Sequence, residues 1–245
     1  MTIHHPISWH LNKKIHDKIL DMDKKGMDLL KENPEDWEKI GELVQREKAT
    51  GIGFKWNKKT RSGSFGLDPD SNPIVFINPK HRTPSTISHE FGHAEIHKGN
   101  CGKFLKSIQD SKIPKKIRKF YVKHPTAASS LHGGAGFAAG LYNGSREDKK
   151  DESKALKWGT RILPTAAYAP ILLYEGAASI KGHKLLKEIG LSKKARKLAD
   201  KRNLLAFGTY TTTPLRYTVD NEIGYQLGKL AGKQVKKYKK KSKED

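Results

Sequence analysis

Residues 83–99 read Thr-Pro-Ser-Thr-Ile-Ser-His-Glu-Phe-Gly-His-Ala-Glu-Ile-His-Lys-Gly. Thr83 suits a helix N-cap, Pro84 the first helical position and Gly99 the C-terminal stop, so the stretch predicts a helix. Ile87, Phe91 and Ile96 supply its apolar positions. Within it lies His-Glu-x-x-His, from His89 to His93. Two His four apart on a helix project from one face and can share one metal ion. Glu90, next to the first His, is then placed beside a water at that metal, where it can act as general base. The rival reading is a helix whose two His make ordinary hydrogen bonds.

A catalytic zinc usually has three protein ligands and one open position. His97 is the nearest candidate for the third, but helix geometry puts it roughly 80° around from His89. Glu95 faces away from the stripe, and six residues past His93 stands Gly99 rather than a third His. The stronger candidate is Glu175, in Tyr174-Glu175-Gly176-Ala177-Ala178-Ser179. An acid within a small-residue, apolar helix is costly unless it is paired or bound to metal. The alternative is that Glu175 pairs with a nearby Lys or Arg.

Upstream, residues 11–32 carry Leu11, Ile15, Ile19, Met22, Leu29 and Leu30 at helical spacing, and Asn33-Pro34 ends the pattern. A second helix is expected over about 35–48. Residues 51–79 change character, with short apolar runs at 52–56, 64–67 and 73–77 separated by turn-rich segments. These predict a small antiparallel sheet of three strands leading into the motif helix. An edge strand there can hold an extended substrate by backbone pairing.

Downstream, two basic helices are expected, at about 102–111 and 114–123. The second carries Lys115, Lys116, Arg118 and Lys119 with Phe120 and Tyr121. A basic face with aromatics can touch phosphates, although such a run also suits a solvated face. His124 to Ser145 then carries no Asp, Glu, Lys or Arg, and a charged loop follows from Arg146 to Lys154. A second weakly polar stretch, Ile162 to Leu173, runs into Glu175. The two weakly polar stretches have the placement of a helical hairpin beside the site. Neither reads as a membrane span: the first is rich in Gly, Ser and His, and the second falls short of the roughly 20 apolar residues required. Further helices are expected over 175–190, 193–207 and 219–237, with Thr209 to Pro214 as a break. Gly224, Gly228 and Gly232, four apart, favour a close helix contact.

The chain has 245 residues, enough for one sizeable core. Its boundaries are read as a basic helical extension over 1–50, one domain over 51–232 and a Lys-rich disordered tail over 233–245. The fold class is α+β, mostly α: a zincin-like arrangement with a small antiparallel sheet before the His-Glu-x-x-His helix and a helical bundle after it. The lone Cys101 excludes an intramolecular disulfide framework and fits a reducing compartment. The first residues lack the basic-then-apolar pattern of a signal peptide, so the expected place is intracellular or within an assembly. Net charge is +22, from 48 Lys and Arg against 26 Asp and Glu. That excess favours anionic partners: nucleic acid, an anionic membrane surface or an acidic substrate.

Taken in order, these motifs resemble the neutral zinc metallopeptidases of the YugP type, distant relatives of HtpX-type and CaaX-prenyl gluzincins. The resemblance covers roughly residues 70–215. It rests on Ile77-Asn78-Pro79 before His-Glu-Phe-Gly-His-Ala, a long helical insertion, Glu-x-x-Ala-Ser at Glu175 to Ser179, and Thr209-Tyr210. It implies one Zn2+ per chain, with His89, His93 and Glu175 as ligands and Glu90 as base. Ser179 takes the place of a residue that orients a ligand, and Tyr210 that of a donor to the substrate carbonyl or oxyanion. The implied activity is zinc-dependent hydrolysis of a peptide or protein substrate. The chain departs from those relatives in lacking clear hydrophobic spans beside the site, so peripheral rather than integral membrane association is expected. The basic additions would suit a membrane surface, nucleic acid or a larger assembly such as a virion. A weaker likeness, to peptidase domains of the ImmA/IrrE kind, rests on the same helix with His97 four residues on. The rival function is a basic binding or structural protein on an inactive peptidase scaffold.

Overall fold

A computed structural model describes residues 6–60, 62–146 and 153–242. The expectations for the extreme N-terminus, the charged loop at 147–152 and the last three residues lie outside these. Two helices open the chain, α1 (Pro6–Glu32) and α2 (Pro34–Ala49). Three short strands follow: β1 (Gly53–Trp56), β2 (Gly63–Leu67) and β3 (Pro73–Ile77). The motif helix is α3 (Pro84–Lys98). Then come α4 (Asn100–Asp110), α5 (Lys112–Lys123), α6 (Pro125–Ser145), α7 (Lys154–Glu188) and α8 (Lys193–Lys241). The protein is thus mostly helical α+β, with its sheet ahead of most of the helices.

α3 begins and ends where its caps require. The Thr83 side chain accepts a hydrogen bond from the backbone N–H of Thr86 at 3.2 Å, and Gly99 is the C-cap. Thr83 is also buried. Thr83→Ala is therefore expected to destabilise the protein by about 1 kcal/mol, read as a lower denaturant midpoint. An unchanged midpoint would show that the cap contributes nothing.

The sheet corrects the all-antiparallel expectation. Its order is β1-β3-β2, with β1 parallel and β2 antiparallel to β3. Val75 and Ile77 of β3 are completely buried, and this most apolar strand takes the centre, where both its edges are paired. β1 and β2 are consecutive but do not pair with each other, so β2 is left as an edge strand.

The chain forms two compact units. One comprises His10–Asp110 and Pro170–Tyr210. Its core joins Leu29 of α1, Ile40 and Leu43 of α2, Val75 and Ile77 of β3, and Ile87, Phe91 and Ala94 of α3 to Leu185, Leu186, Leu191 and Ala195. Each large aliphatic side chain so buried contributes about 1.5–3 kcal/mol. The helices read as a basic extension over 1–50 therefore supply core, and they carry no basic excess: residues 1–50 hold nine Lys or Arg against ten Asp or Glu. Asp36 of α2, itself buried, accepts from the backbone N–H and hydroxyl of Ser192 at 2.9 and 2.6 Å, anchoring the start of α8.

α3 and α7 meet through glycine. A Cβ on Gly92 would overlap the carbonyl of Ala178, and one on Gly182 would lie 2.7 Å from the carbonyl oxygen of Ser88. Only hydrogen at these two positions allows the backbones to approach so closely. α7 ends at a left-handed turn on Gly190 (φ +66°).

The other unit comprises Met1–Trp9, Ser111–Ala169 and Thr211–Asp245. The Gly224, Gly228, Gly232 stripe does mediate the expected close contact. It faces Gly133, Phe137 and Leu141 of α6, while Gly136, Gly140 and Gly144 face Asn221, Tyr225 and Lys229 in return.

Ile162 to Leu173 runs into Glu175 without interruption, within α7. The break expected at Thr209 to Pro214 does not occur: 193–207 and 219–237 both lie within α8, which carries Pro214 inside. Proline removes one helical hydrogen bond but does not oblige a helix held on both sides by packing to stop. The tail is helical to Lys241 rather than disordered, because extending an existing helix avoids the nucleation step. Among the described residues no helix is long and apolar enough to cross a membrane.

Candidate metal centre

Glu175 lies 86 residues from His89 in sequence, yet their side chains meet. Successive turns of α3 present His89 and His93, and the Gly92–Ala178 and Ser88–Gly182 approaches bring α7 against that face. His89 Nε2 lies 3.2 Å from Glu175 Oε2 and 3.2 Å from His93 Nε2, and His93 Nε2 lies 3.4 Å from Glu175 Oε2. Two imidazole nitrogens and a carboxylate oxygen form a donor set that can hold a metal ion. Tetrahedral ligands at zinc distances are themselves separated by roughly 3.4 Å, so this triangle needs little adjustment. Among the described residues it is the one such grouping.

The neighbours orient the set. Ser179 Oγ lies 3.2 Å from His89 Nδ1, one turn along α7 from Glu175. A partner on the far ring nitrogen is what holds a ligating imidazole in one tautomer and orientation. The Tyr174 ring packs on His93 with centroids 4.7 Å apart, and Phe65 of β2 stacks on the same imidazole at 6.2 Å.

Glu90 lies within the same pocket, buried, and is not one of the three donors. Gly63, the first residue of β2, packs directly on it: a Cβ there would lie 2.7 Å from Glu90 Cγ. Burial pushes the Glu90 carboxyl up to about 7, with His89 and Arg202 drawing it down and Glu175 adding to the rise. Glu175 goes the other way. Burial opposes its ionisation, but hydrogen bonding and charge from His89 and His93 outweigh that and bring it to about 2. Two carboxyl groups of one pocket are thus shifted in opposite directions from the ordinary carboxylate range, by different surroundings.

Tyr210 of α8 reaches the same place. Burial, then the charges of Glu175 and Glu90, push its phenol above the ordinary range, so it stays a neutral hydroxyl in hydrogen-bonding relation to Glu175. It borders two clefts that meet at the donor set. One, of about 220 Å3, runs along β2 past Ser64, Phe65 and Tyr174. The other, of about 390 Å3, runs past Phe207 toward Ile19 and Leu20 of α1.

His89, Glu90, His93, Glu175, Ser179 and Tyr210 are therefore all brought to one site. His97 is not. Its ring packs on Phe65 with centroids 5.3 Å apart, and burial followed by Lys103 and Lys106 lowers its pKa. Glu95 points to Lys98 and Lys181, at 2.8 and 3.6 Å. Gly63, Tyr174, Arg202 and the α1 residues escaped the sequence reading. Only Tyr174, beside Glu175, carried a local signal.

Arg202 sits in the larger cleft with Asp23, which it contacts through Nε at 3.0 Å, while His81 lies 3.6 Å from the same carboxylate. Removing one partner of a buried ion pair leaves the other uncompensated, so this group holds the cleft wall as a unit. Comparison of the chain with protein-family models, with curated proteins and with solved structures gives no match.

Proposed function

We propose that the chain is a zinc-dependent endopeptidase of gluzincin type, zincin-like in fold and of the YugP kind that its motifs resemble. The observation that carries this reading is the convergence of Glu175 on His89 and His93 with Glu90 buried beside them. A zinc ion held by His89, His93 and Glu175 would supply a Lewis acid and would lower the pKa of its water toward roughly 7. Glu90 takes the proton from the attacking water and passes it to the leaving amine. Ser179 keeps His89 oriented. The Tyr210 hydroxyl, neutral at all ordinary pH, donates to the oxygen of the scissile carbonyl as negative charge develops there. β2 offers its free edge beside Glu90, so an extended substrate pairs with it through backbone hydrogen bonds. Tyr174 and Phe65 give the smaller cleft an apolar wall.

The test is metal content and hydrolysis measured together. The purified chain is expected to carry about one zinc. Removing it with a chelator should abolish cleavage of an unfolded protein such as casein, and adding zinc back should restore it. No metal after zinc challenge would overturn the proposal. Zinc bound with no cleavage of any peptide would favour the rival, a basic binding protein on a retired peptidase scaffold.

A further inference from the structure

The α6–α8 unit presents an apolar face that its own packing does not use. Along α8, Leu215, Val219, Ile223, Leu227 and Leu230 recur at helical spacing and are 55%, 44%, 52%, 55% and 60% exposed. The glycine seam with α6 occupies the opposite side of the helix. A soluble surface tolerates single exposed leucines; a row of five over four turns is a different feature.

The same α8 face continues by helical spacing into Lys233, Lys237 and Lys240, all exposed. Ahead of the charge-free α6 stands α5, whose residues 112–123 include six Lys or Arg and no acid. Glu222, beside the row, is neutralised by Arg161 of α7, which also stacks on Trp158 at 5.3 Å. Trp158 is itself 54% exposed.

The occupant of this face must be apolar over the leucine row and anionic where the lysines begin. Nucleic acid is anionic without offering an apolar surface. A second copy paired in parallel would bring its own lysines against these, and one paired antiparallel would set them opposite residues 205–212, which carry no acid. An anionic bilayer surface meets both demands, with acyl chains below and phosphate headgroups above. Since no described helix can cross a membrane, the association is with the surface. The geometry points to α8, from Leu215 to Lys240, as an in-plane docking face for an anionic lipid bilayer. This inference is independent of the metal centre.

The experiment mixes the full chain with vesicles of phosphatidylcholine alone or of equal phosphatidylcholine and phosphatidylglycerol. Binding is read by cosedimentation and tryptophan emission. Binding is expected to the anionic vesicles only, falling with salt, with a blue shift that Trp158→Phe removes. Ile223→Glu with Leu227→Glu should weaken binding at least tenfold. Replacing Lys233, Lys237 and Lys240 by Gln should weaken it about fivefold per lysine. Glu and Gln are good helix formers at these exposed positions, and circular dichroism verifies that the helix survives. Absence of binding to the anionic vesicles would overturn the proposal. So would binding that the two Glu substitutions leave unchanged, which would assign it to charge alone. A dimer that those substitutions dissociate, without effect on vesicles, would assign the face to a second copy.

Discussion

Glu90→Gln is expected to keep its zinc and lose hydrolysis by about 10²–10⁴-fold, the contribution of a positioned general base. The substitution preserves the shape of the side chain, so the packing of Gly63 against it survives. Gln cannot take a proton, and the carboxyl it replaces is the one in the pocket pushed up to about 7. The substitution also has a stability signature. In the metal-free protein, the Glu90 carboxyl stays protonated in the fold up to about 7, whereas its ordinary value is 4.5. The unfolded chain therefore binds fewer protons between those values, and wild-type stability falls as pH rises through that window. Gln removes this loss, so the variant should gain in melting temperature over wild type from about pH 5 to 7. Two measurements check the argument: cleavage rate at fixed metal content, and melting temperature of the apo proteins against pH. A variant that cleaves as fast as wild type would remove Glu90 from the mechanism.

Gly92→Ala is expected to empty the metal centre although no ligand is touched. Ala favours the helical state over Gly by about 1 kcal/mol, so a helix without neighbours would gain from the change. Here the new methyl would overlap the Ala178 carbonyl, and backbone cannot turn away as a side chain can. Helix α7 must move off α3. Overpacking of this kind costs about 1–3 kcal/mol. Glu175 lies one turn before Ala178 and moves with it, so the triangle of donors opens. The variant should bind zinc as poorly as Glu175→Ala and melt earlier. Gly41→Ala serves as control, since a Cβ there meets nothing within 4 Å. Full zinc occupancy and an unchanged melting temperature in Gly92→Ala would show that the seam does not position the site.

The contrast between these two residues shows what was legible. His89, Glu90 and His93 are read from spacing, because a helix of known period converts sequence distance into direction. The caps at Thr83 and Gly99 are equally local. Glu175 was legible for an energetic reason: an acid among small apolar residues demands a partner, and the motif 86 residues upstream held two imidazoles that lacked a third donor. Gly92 looked like filler between the histidines. Its meaning depends on Ala178, 86 positions away, which no local rule connects to it.

The same division runs through the fold. Local sequence by itself determined the three short strands and the two ends of α3, since caps, turn residues and apolar period act over a few residues. It also determined the chemistry of the motif and the excess of positive charge. Partnership was decided only in three dimensions. β1 pairs with β3 rather than β2 because the most apolar strand takes the centre of the sheet. α1 and α2 enter the core because Leu29, Ile40 and Leu43 find Ile77, Ile87 and Phe91 there. Pro214 fails to end α8 because tertiary packing outweighs one missing hydrogen bond. The carboxylate that completes the donor set reaches it because two glycines let α7 approach α3, and close approach is a property of pairs of surfaces, which a single segment does not contain.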